Sequence, residues 1–389
     1  MSLTSATSGK RLTRPGALTW GLCSFAFLHA SAFLFLGTWG PEGRDPEFGL
    51  RLRNLRARLA ERSLPQPQVI VLGSSRVSVG LRPEGLAVVA EPGTHPAVVF
   101  NFGLFATGPI RELVTLERLL RAGIHPRSII IEIWPPMFEM ETDLIHCMHG
   151  DPKSSLALLL TWQDRCVVER YLPTPRDAPS PKHASKVAAR AAYRDALLCR
   201  FPSFLKLTNL ERSESWQGLT AWGWLDWPRA RRLTDENEWA LRRWAVKHVF
   251  QPKLTRLTLP ASSLQALHDL LDRCRRENIR GVLLLMPEAA RFRSWYSEDL
   301  LARWDGTIVQ LSRQYKVPVI DARGWADDDD FADEFHLTPD GAARFTQRLG
   351  RAIIEPLLDG KQIEETPPWL VPARPLAAQA LEAAVVEGK

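Results

Sequence analysis

The chain has 389 residues and a mass of 43.9 kDa, with 45% hydrophobic and 24% charged residues. This composition is that of a globular protein, and it excludes disorder throughout and collagen-like repetition. Lys and Arg outnumber Asp and Glu by 50 to 44, but the basic residues are scattered, so nucleic acid is not expected as a partner. Five cysteines are too few for a disulfide-built fold, although the four beyond residue 100 allow up to two bridges in an oxidising compartment.

An uncharged apolar segment over 16–40 follows a basic leader over 1–15. About 20 apolar residues at 1.5 Å per residue span a bilayer core, so this segment predicts a single-pass membrane anchor. A cleavable signal peptide is the alternative, because Ala30-Ser31-Ala32 has the small-x-small form of a cleavage site and cutting there would release a secreted protein. The apolar run continues through Leu36, which favours a retained signal anchor with the C-terminal domain outside the cytoplasm.

Beyond this segment, short apolar runs alternate with amphipathic segments. The runs are rich in β-branched residues, which is typical of strands buried on both faces, and the amphipathic segments carry apolar residues at helical spacing. Strands are predicted at 68–75, 97–103, 128–133, 281–287 and 317–321, and helices at 50–65, 109–122, 262–277, before residue 317, and after Thr338 with Pro339 at the first position. This order predicts an α/β fold, a flavodoxin-like three-layer sandwich around a five-stranded parallel sheet.

The alternation stops between residues 140 and 260, where a segment rich in Trp, Arg and Pro predicts a mostly helical insertion or cap. Its tryptophans suit core packing, stacking on sugar rings or a membrane interface, and the sequence leaves these alternatives open. The predicted domains are the leader over 1–15, the anchor over 16–40, a juxtamembrane helix over 41–67, the α/β domain over 68–139 and 261–360, the insertion over 140–260 and a Pro- and Ala-rich tail over 361–389.

Polar residues follow the predicted strands, at the edge of a parallel sheet where ligands bind. A hydroxyl, a glycine-bearing turn and a carboxylate–imidazole pair are the parts of an acyl-transfer site. The candidates are Ser74, Ser75 and Arg76 after the first strand, Asn101 and Gly103 at the end of the second, Trp134 after the third, Glu288 after the fourth, and Asp333 and His336 before the last helix.

Acyl transfer requires these residue types for definite reasons. A serine hydroxyl is a poor nucleophile until an imidazole takes its proton, and a carboxylate fixes the tautomer of that imidazole. Asp333 and His336 are suited to these two tasks, while Gly103 and the turn of the nucleophile are placed to offer N–H donors to an oxyanion. The alternative is that both serines cap the following helix and His336 is an ordinary loop histidine.

These residues resemble the SGNH or GDSL-type hydrolases. The first block of that superfamily, Gly-Asp-Ser, looks like Gly73-Ser74-Ser75, its glycine block looks like Asn101-Phe102-Gly103, and its Asp-x-x-His block looks like Asp333 to His336. The resemblance implies Ser75 as nucleophile, His336 as base, Asp333 as its orienting acid, and Gly103 with Asn101 at the oxyanion. The third block, Gly-x-Asn-Asp, is absent, because the corresponding strand ends Glu132-Ile133-Trp134-Pro135-Pro136.

Ser74 at the usual Asp position and the predicted anchor are similar to the divergent branch that contains the teichoic-acid D-alanyl transfer protein and the alginate acetylation proteins. The resemblance implies an extracytoplasmic esterase or O-acyltransferase that acts on an acylated glycan or other cell-envelope polymer through an acyl-Ser75 intermediate, with no metal or organic cofactor. The alternative is a catalytically silent relative that binds a polymer or supports a partner acyltransferase in the membrane. Ser74, Arg76, Trp134 and Glu288 are candidate substrate contacts, although Arg76 is equally suited to pairing with a carboxylate.

Two further clusters have the composition of metal sites without their spacing. His146-Cys147-Met148-His149 places four donors in a row, and adjacent ligands do not converge on one ion without partners elsewhere, so a surface loop is preferred. The run Asp327 to Asp330 lacks the alternating spacing and the glycine of a calcium loop, which favours a solvated turn.

Overall fold

Five parallel strands form the centre of the computed structural model, which describes residues 16–38, 45–86, 97–141, 160–171, 218–233, 235–361 and 363. The strands are β1 (Val69–Gly73), β2 (Val99–Gly103), β3 (Ser128–Glu132), β4 (Arg280–Leu285) and β5 (Val319–Asp321). They lie in the order β2-β1-β3-β4-β5, which is the strand order of flavodoxin-like folds. The predicted α/β fold with a five-stranded parallel sheet is therefore confirmed.

The helices are α1 (Ala17–Thr38), α2 (Pro46–Glu61), α3 (Ser75–Gly80), α4 (Pro109–Arg121), α5 (135–141), α6 (Trp162–Val168), α7 (Glu236–Leu254), α8 (Ala261–Arg276), α9 (Ala290–Arg293), α10 (Glu298–Tyr315), α11 (Pro339–Leu349) and α12 (Glu355–Leu358). A π-helical turn over Gly350–Ile354 joins the last two.

Helices cover both faces of the sheet, which gives three layers. Alternate strand residues point to opposite faces, so Ile70 and Leu72 pack with α2, α4, α8 and α10, while Val69 and Val71 pack with α3 and α11. Because neither face contacts water, the strands are continuous apolar runs instead of alternating ones.

Helix α2 belongs to the core of the domain. It begins earlier than predicted, because Asp45 Oδ1 accepts a hydrogen bond from Phe48 N at 3.1 Å and Pro46 occupies the first turn. Phe48 and Leu52 on this helix are fully buried. The predicted juxtamembrane helix therefore forms part of the layer that covers the sheet.

The predicted apolar segment forms α1, on which Leu18, Trp20, Phe25 and Phe27 are exposed. Among the described residues, no helix combines the length and hydropathy needed to cross a membrane. The signal anchor stays a prediction.

The described parts of the insertion lie against the α/β domain. Residues 218–226 run alongside β2, where Asn101 N donates to Trp222 O at 3.1 Å. Gly223 has a φ of +86°, and a Cβ there would lie 2.0 Å from Asn101 O, so only glycine permits this approach. Trp216 and the cluster 146–149 lie outside the described residues.

The acidic run over 327–330 forms a short 3-10 turn, Asp328–Asp330. Asp327, Asp328 and Asp329 are exposed, as expected of a solvated turn, whereas Asp330 is buried and pairs with Arg344. Among the described cysteines, the free thiols are Cys23, Cys166 and Cys274.

Candidate active site

The turn that leaves β1 depends on a glycine. A Cβ on Gly73 would lie 2.4 Å from Val77 Cγ2 and 2.6 Å from Glu132 Oε2, so no larger residue fits without displacing its neighbours. Ser74 is the N-cap of α3, and its Oγ accepts a hydrogen bond from Arg76 N at 3.2 Å. Ser75 follows as the first residue of α3, so the two serines have different tasks.

Ser75, His336 and Asp333 form a chain of hydrogen bonds. Ser75 Oγ lies 2.9 Å from His336 Nε2, and His336 Nδ1 lies 2.8 Å from Asp333 Oδ2. Asp333 Oδ1 accepts the backbone N–H groups of Phe335 at 2.9 Å and of His336 at 2.8 Å, which fixes the carboxylate relative to the ring. The structure thus brings together the three residues, although His336 is 261 positions from Ser75 in the sequence.

The surroundings of Asp333 keep it ionised. Burial acts to raise the pKa of this carboxyl, but the neighbouring His336 and the two backbone N–H donors outweigh burial, and the pKa is lowered from its ordinary value. An ionised Asp333 holds the proton of His336 on Nδ1, which leaves Nε2 as the acceptor that faces Ser75. The arrangement can therefore deprotonate a serine hydroxyl.

The predicted oxyanion donors are engaged elsewhere. Asn101 is fully buried, and its Nδ2 donates to Val77 O and Leu81 O at 2.7 Å. Its Oδ1 accepts Gly103 N at 2.9 Å, so that N–H group does not face a substrate. The Asn101 amide thus bonds Val77 O, which also accepts Leu81 N at 3.1 Å, and Leu81 O just beyond the end of α3. Asn101 holds α3 against β2, and its Oδ1 occupies Gly103 N, which corrects the role expected of both residues from the sequence.

One backbone N–H group in the turn between β1 and α3 makes no hydrogen bond within the described residues. Ser74 N donates to Glu132 Oε2 at 2.6 Å, and Arg76 N is taken by the Ser74 hydroxyl. In the described part of the chain, no group accepts a hydrogen bond from Ser75 N. This N–H belongs to the residue whose hydroxyl faces His336, which is the place that an oxyanion donor occupies in acyl-transfer sites.

The four predicted substrate contacts are buried beneath the site. Ser74, Arg76, Trp134 and Glu288 have exposed fractions of 1%, 1%, 4% and 1%. Arg76 Nη2 donates to Met286 O at 2.9 Å, and its guanidinium carbon lies 4.4 Å from the centre of the Trp134 ring. These side chains form a buried polar cluster, called the polar plug, that supports the turn after β1 from inside and is not exposed at the surface where a substrate would bind.

Glu132 and Tyr296 complete this plug and were not predicted. Glu132 Oε1 lies 3.4 Å from Arg76 Nη1, and Tyr296 donates to Glu288 Oε1 at 2.8 Å, as does Trp134 Nε1 at 2.7 Å. A glutamate in the otherwise apolar third strand is the signal in the sequence that points to such a buried partner. Arg76 therefore pairs with carboxylates, which was one of the two alternatives.

Aromatic side chains line the open side of the triad. The Trp227 ring, from the insertion, lies 5.4 Å from the His336 ring in an edge-to-face arrangement, and Phe105 lies 5.3 Å beyond Trp227. Both are partly exposed. This part of the insertion therefore contributes one wall of the site, at the carboxyl edge of the sheet.

Comparisons with known proteins leave the family of this chain open. No family model matches the chain, and no curated protein matches it. Among solved structures it is similar to a Bacteroides fragilis protein provisionally named an acylhydrolase, with 10% identity over 78% of this chain and 97% of that chain and a TM-score of 0.34. A likeness of this degree carries no argument about chemistry, which rests on the geometry of the site.

Proposed function

We propose that the protein is a serine esterase or O-acyltransferase. The observation that carries the proposal is the unbroken chain from Ser75 Oγ through His336 to Asp333, with distances of 2.9 and 2.8 Å. Such a chain is costly to build for structure alone, since it buries a carboxylate beside a histidine ring whose other nitrogen faces a serine hydroxyl.

The reaction proceeds by double displacement. His336 Nε2 takes the proton of Ser75 Oγ as the oxygen attacks the carbonyl carbon of an ester, and the backbone N–H of Ser75 stabilises the oxyanion. His336 then gives the proton to the departing alcohol oxygen, which leaves an acyl-Ser75 ester. Water or an acceptor hydroxyl then loses its proton to His336 as its oxygen attacks the acyl carbon, and His336 returns that proton to Ser75 Oγ as the bond between Oγ and the acyl carbon breaks.

We further propose that the substrate is an acylated glycan or other cell-envelope polymer and that α1 anchors the domain outside the cytoplasm. The partly exposed Trp227 beside His336 supports a sugar-bearing substrate, since an indole offers an apolar face for a sugar ring. The exposed apolar side chains of α1 support insertion in a bilayer. A reporter fused after Lys389 tests the topology, and activity of that reporter in the cytoplasm would contradict it.

The activity is tested by labelling full-length protein in detergent with a fluorophosphonate, which reacts covalently with an activated serine. We expect label on Ser75, loss of label in Ser75→Ala, and labelling retained in Ser74→Ala, a matched control one residue away. Retained labelling in Ser75→Ala would overturn the assignment of the nucleophile.

A catalytically silent protein that binds a polymer or supports a membrane acyltransferase is the second candidate. The observation that favours it is the engagement of Gly103 N and Asn101 Nδ2, the two donors expected at the oxyanion beside the turn of Ser75. Loss of one such donor costs about 3 kcal/mol in enzymes where it has been measured. Folded wild-type protein that takes no fluorophosphonate would favour this candidate.

A further inference from the structure

We infer that α2 contributes two positioning residues to the active site, Glu47 and Arg51. This inference rests on the proposed function, because it concerns the placement of Ser75 for nucleophilic attack. Helix α2 precedes the whole α/β domain, and no residue on it belongs to the motifs that resemble a hydrolase. Its buried side chains nevertheless contact both segments that flank the nucleophile.

Arg51 contacts the nucleophile helix. Its side chain is fully buried, and Nη2 donates to Ser78 Oγ at 2.6 Å, one turn of α3 beyond Ser75. Nη1 donates to Glu47 Oε1 at 3.2 Å. A buried guanidinium is held strongly by such partners, because losing Glu47 would leave an unpaired charge in the interior and losing the Ser78 hydroxyl would leave an unsatisfied donor.

Glu47 contacts the loop that follows β2. Its Oε1 accepts a hydrogen bond from Phe105 N at 3.3 Å. The carbonyl of Phe105 is also held, because Arg111 Nη1 donates to Phe105 O at 2.6 Å. Ala106, next in the loop, has a φ of +53°, a left-handed conformation that is unfavourable for alanine. Packing and hydrogen bonds from neighbouring elements must therefore maintain the shape of this loop.

The Phe105 loop is connected to the catalytic base through aromatic contacts, since Phe105 packs against Trp227 and Trp227 against His336. The Glu47–Arg51 pair thus joins the helix that carries Ser75 to the loop that supports the wall beside His336. Helix α3 has only six residues and depends on its neighbours for its position, so the pair acts with Asn101 in setting the distance between Ser75 Oγ and His336 Nε2. A displacement of about 1 Å is enough to lower the rate of such a reaction a hundredfold.

The inference is tested with full-length variants Glu47→Gln, Arg51→Met and Arg51→Lys, labelled at a series of fluorophosphonate concentrations and pH values. We expect Glu47→Gln and Arg51→Met to lower the limiting labelling rate at least tenfold, with little change in the half-saturating concentration or in the pH midpoint of labelling. Arg51→Lys should recover part of the rate, because an ammonium can still reach Ser78 or Glu47.

The matched control is Leu59→Ala, on the same helix and buried in the same core but remote from α3. It should lower the melting temperature and keep the labelling rate. Wild-type rates in Glu47→Gln and Arg51→Met would overturn the inference and leave the proposed function standing. Rate losses that follow melting temperature in all variants, Leu59→Ala included, would also overturn it. Absence of label on folded wild-type protein would overturn the proposed function and this inference together.

Discussion

Replacing Asp333 with asparagine tests the chain of hydrogen bonds with little change in shape. In the native site, Oδ2 accepts the Nδ1 proton of His336 and Oδ1 accepts two backbone N–H groups. An asparagine keeps Oδ1 as the acceptor for the backbone and presents an NH₂ group to Nδ1. That group donates, so the histidine proton moves to Nε2, and the ring can no longer accept the proton of Ser75.

The expected loss of activity is large and separable from stability. A wrong histidine tautomer lowers turnover about 10⁴-fold in serine enzymes, which corresponds to about 5.5 kcal/mol of transition-state stabilisation. Because the asparagine side chain still accepts the backbone N–H groups, we expect the melting temperature at neutral pH to fall by only a few degrees. The pKa of Asp333 is lowered on folding, so the ionised carboxylate stabilises the folded protein above about pH 4. This contribution to the free energy of unfolding is lost as the pH falls below that value.

The assay compares the fluorophosphonate labelling rate and the melting temperature of Asp333→Asn with those of wild type from about pH 3 to 8. The labelling rate of Asp333→Asn should be lower than that of wild type by at least about three orders of magnitude. The difference in melting temperature between the two proteins should become smaller as the pH drops below about 4. Labelling within tenfold of wild type, with the variant fully folded, would refute the role assigned to Asp333.

Three further expectations concern stability. Arg76→Met should lower the free energy of unfolding by about 3–5 kcal/mol in urea titrations, since it removes the buried cation that pairs with Glu132 and Glu288. A loss below about 1 kcal/mol would contradict a stabilising role for these ion pairs. Asn101→Ala should cost about 1–3 kcal/mol for each of Leu81 O and Gly103 N, which lose their Asn101 partner, while Val77 O keeps its bond from Leu81 N; urea titration measures the loss. Burial raises the pKa of Glu141 from 4.5 to about 7, so between these pH values the folded protein holds a proton that the unfolded chain has lost. The free energy of unfolding should therefore fall by about 1.4 kcal/mol for each unit rise in pH, relative to Glu141→Gln. An equal dependence of the free energy of unfolding on pH in wild type and Glu141→Gln would contradict the raised pKa of Glu141.

The sequence by itself determined the layout of the domain. Strands buried on both faces must be continuous apolar runs, so all five were recognisable from composition within a few residues of their bounds. The start of α11 was equally local, because Thr338 accepts Gly341 N and Pro339 occupies the first turn. Since the carboxyl ends of parallel strands share one edge, the sequence also placed Ser75 and the loop of Asp333 and His336 at the same edge of the sheet.

Only the tertiary structure decided which polar residues face the site and which support it. Arg76 and Glu288 follow strands as a substrate contact would, but they are buried because Arg76 reaches carbonyls 210 and 211 positions away. Asn101 lies at the end of β2, where an oxyanion donor is expected, yet its side-chain amide donates to a carbonyl of α3. Arg51 carries no local signal for its contact with Ser78, 27 positions away. Patterns in a sequence report backbone conformation and burial over a few residues, whereas the partner of a buried polar group depends on which distant segments the fold brings together.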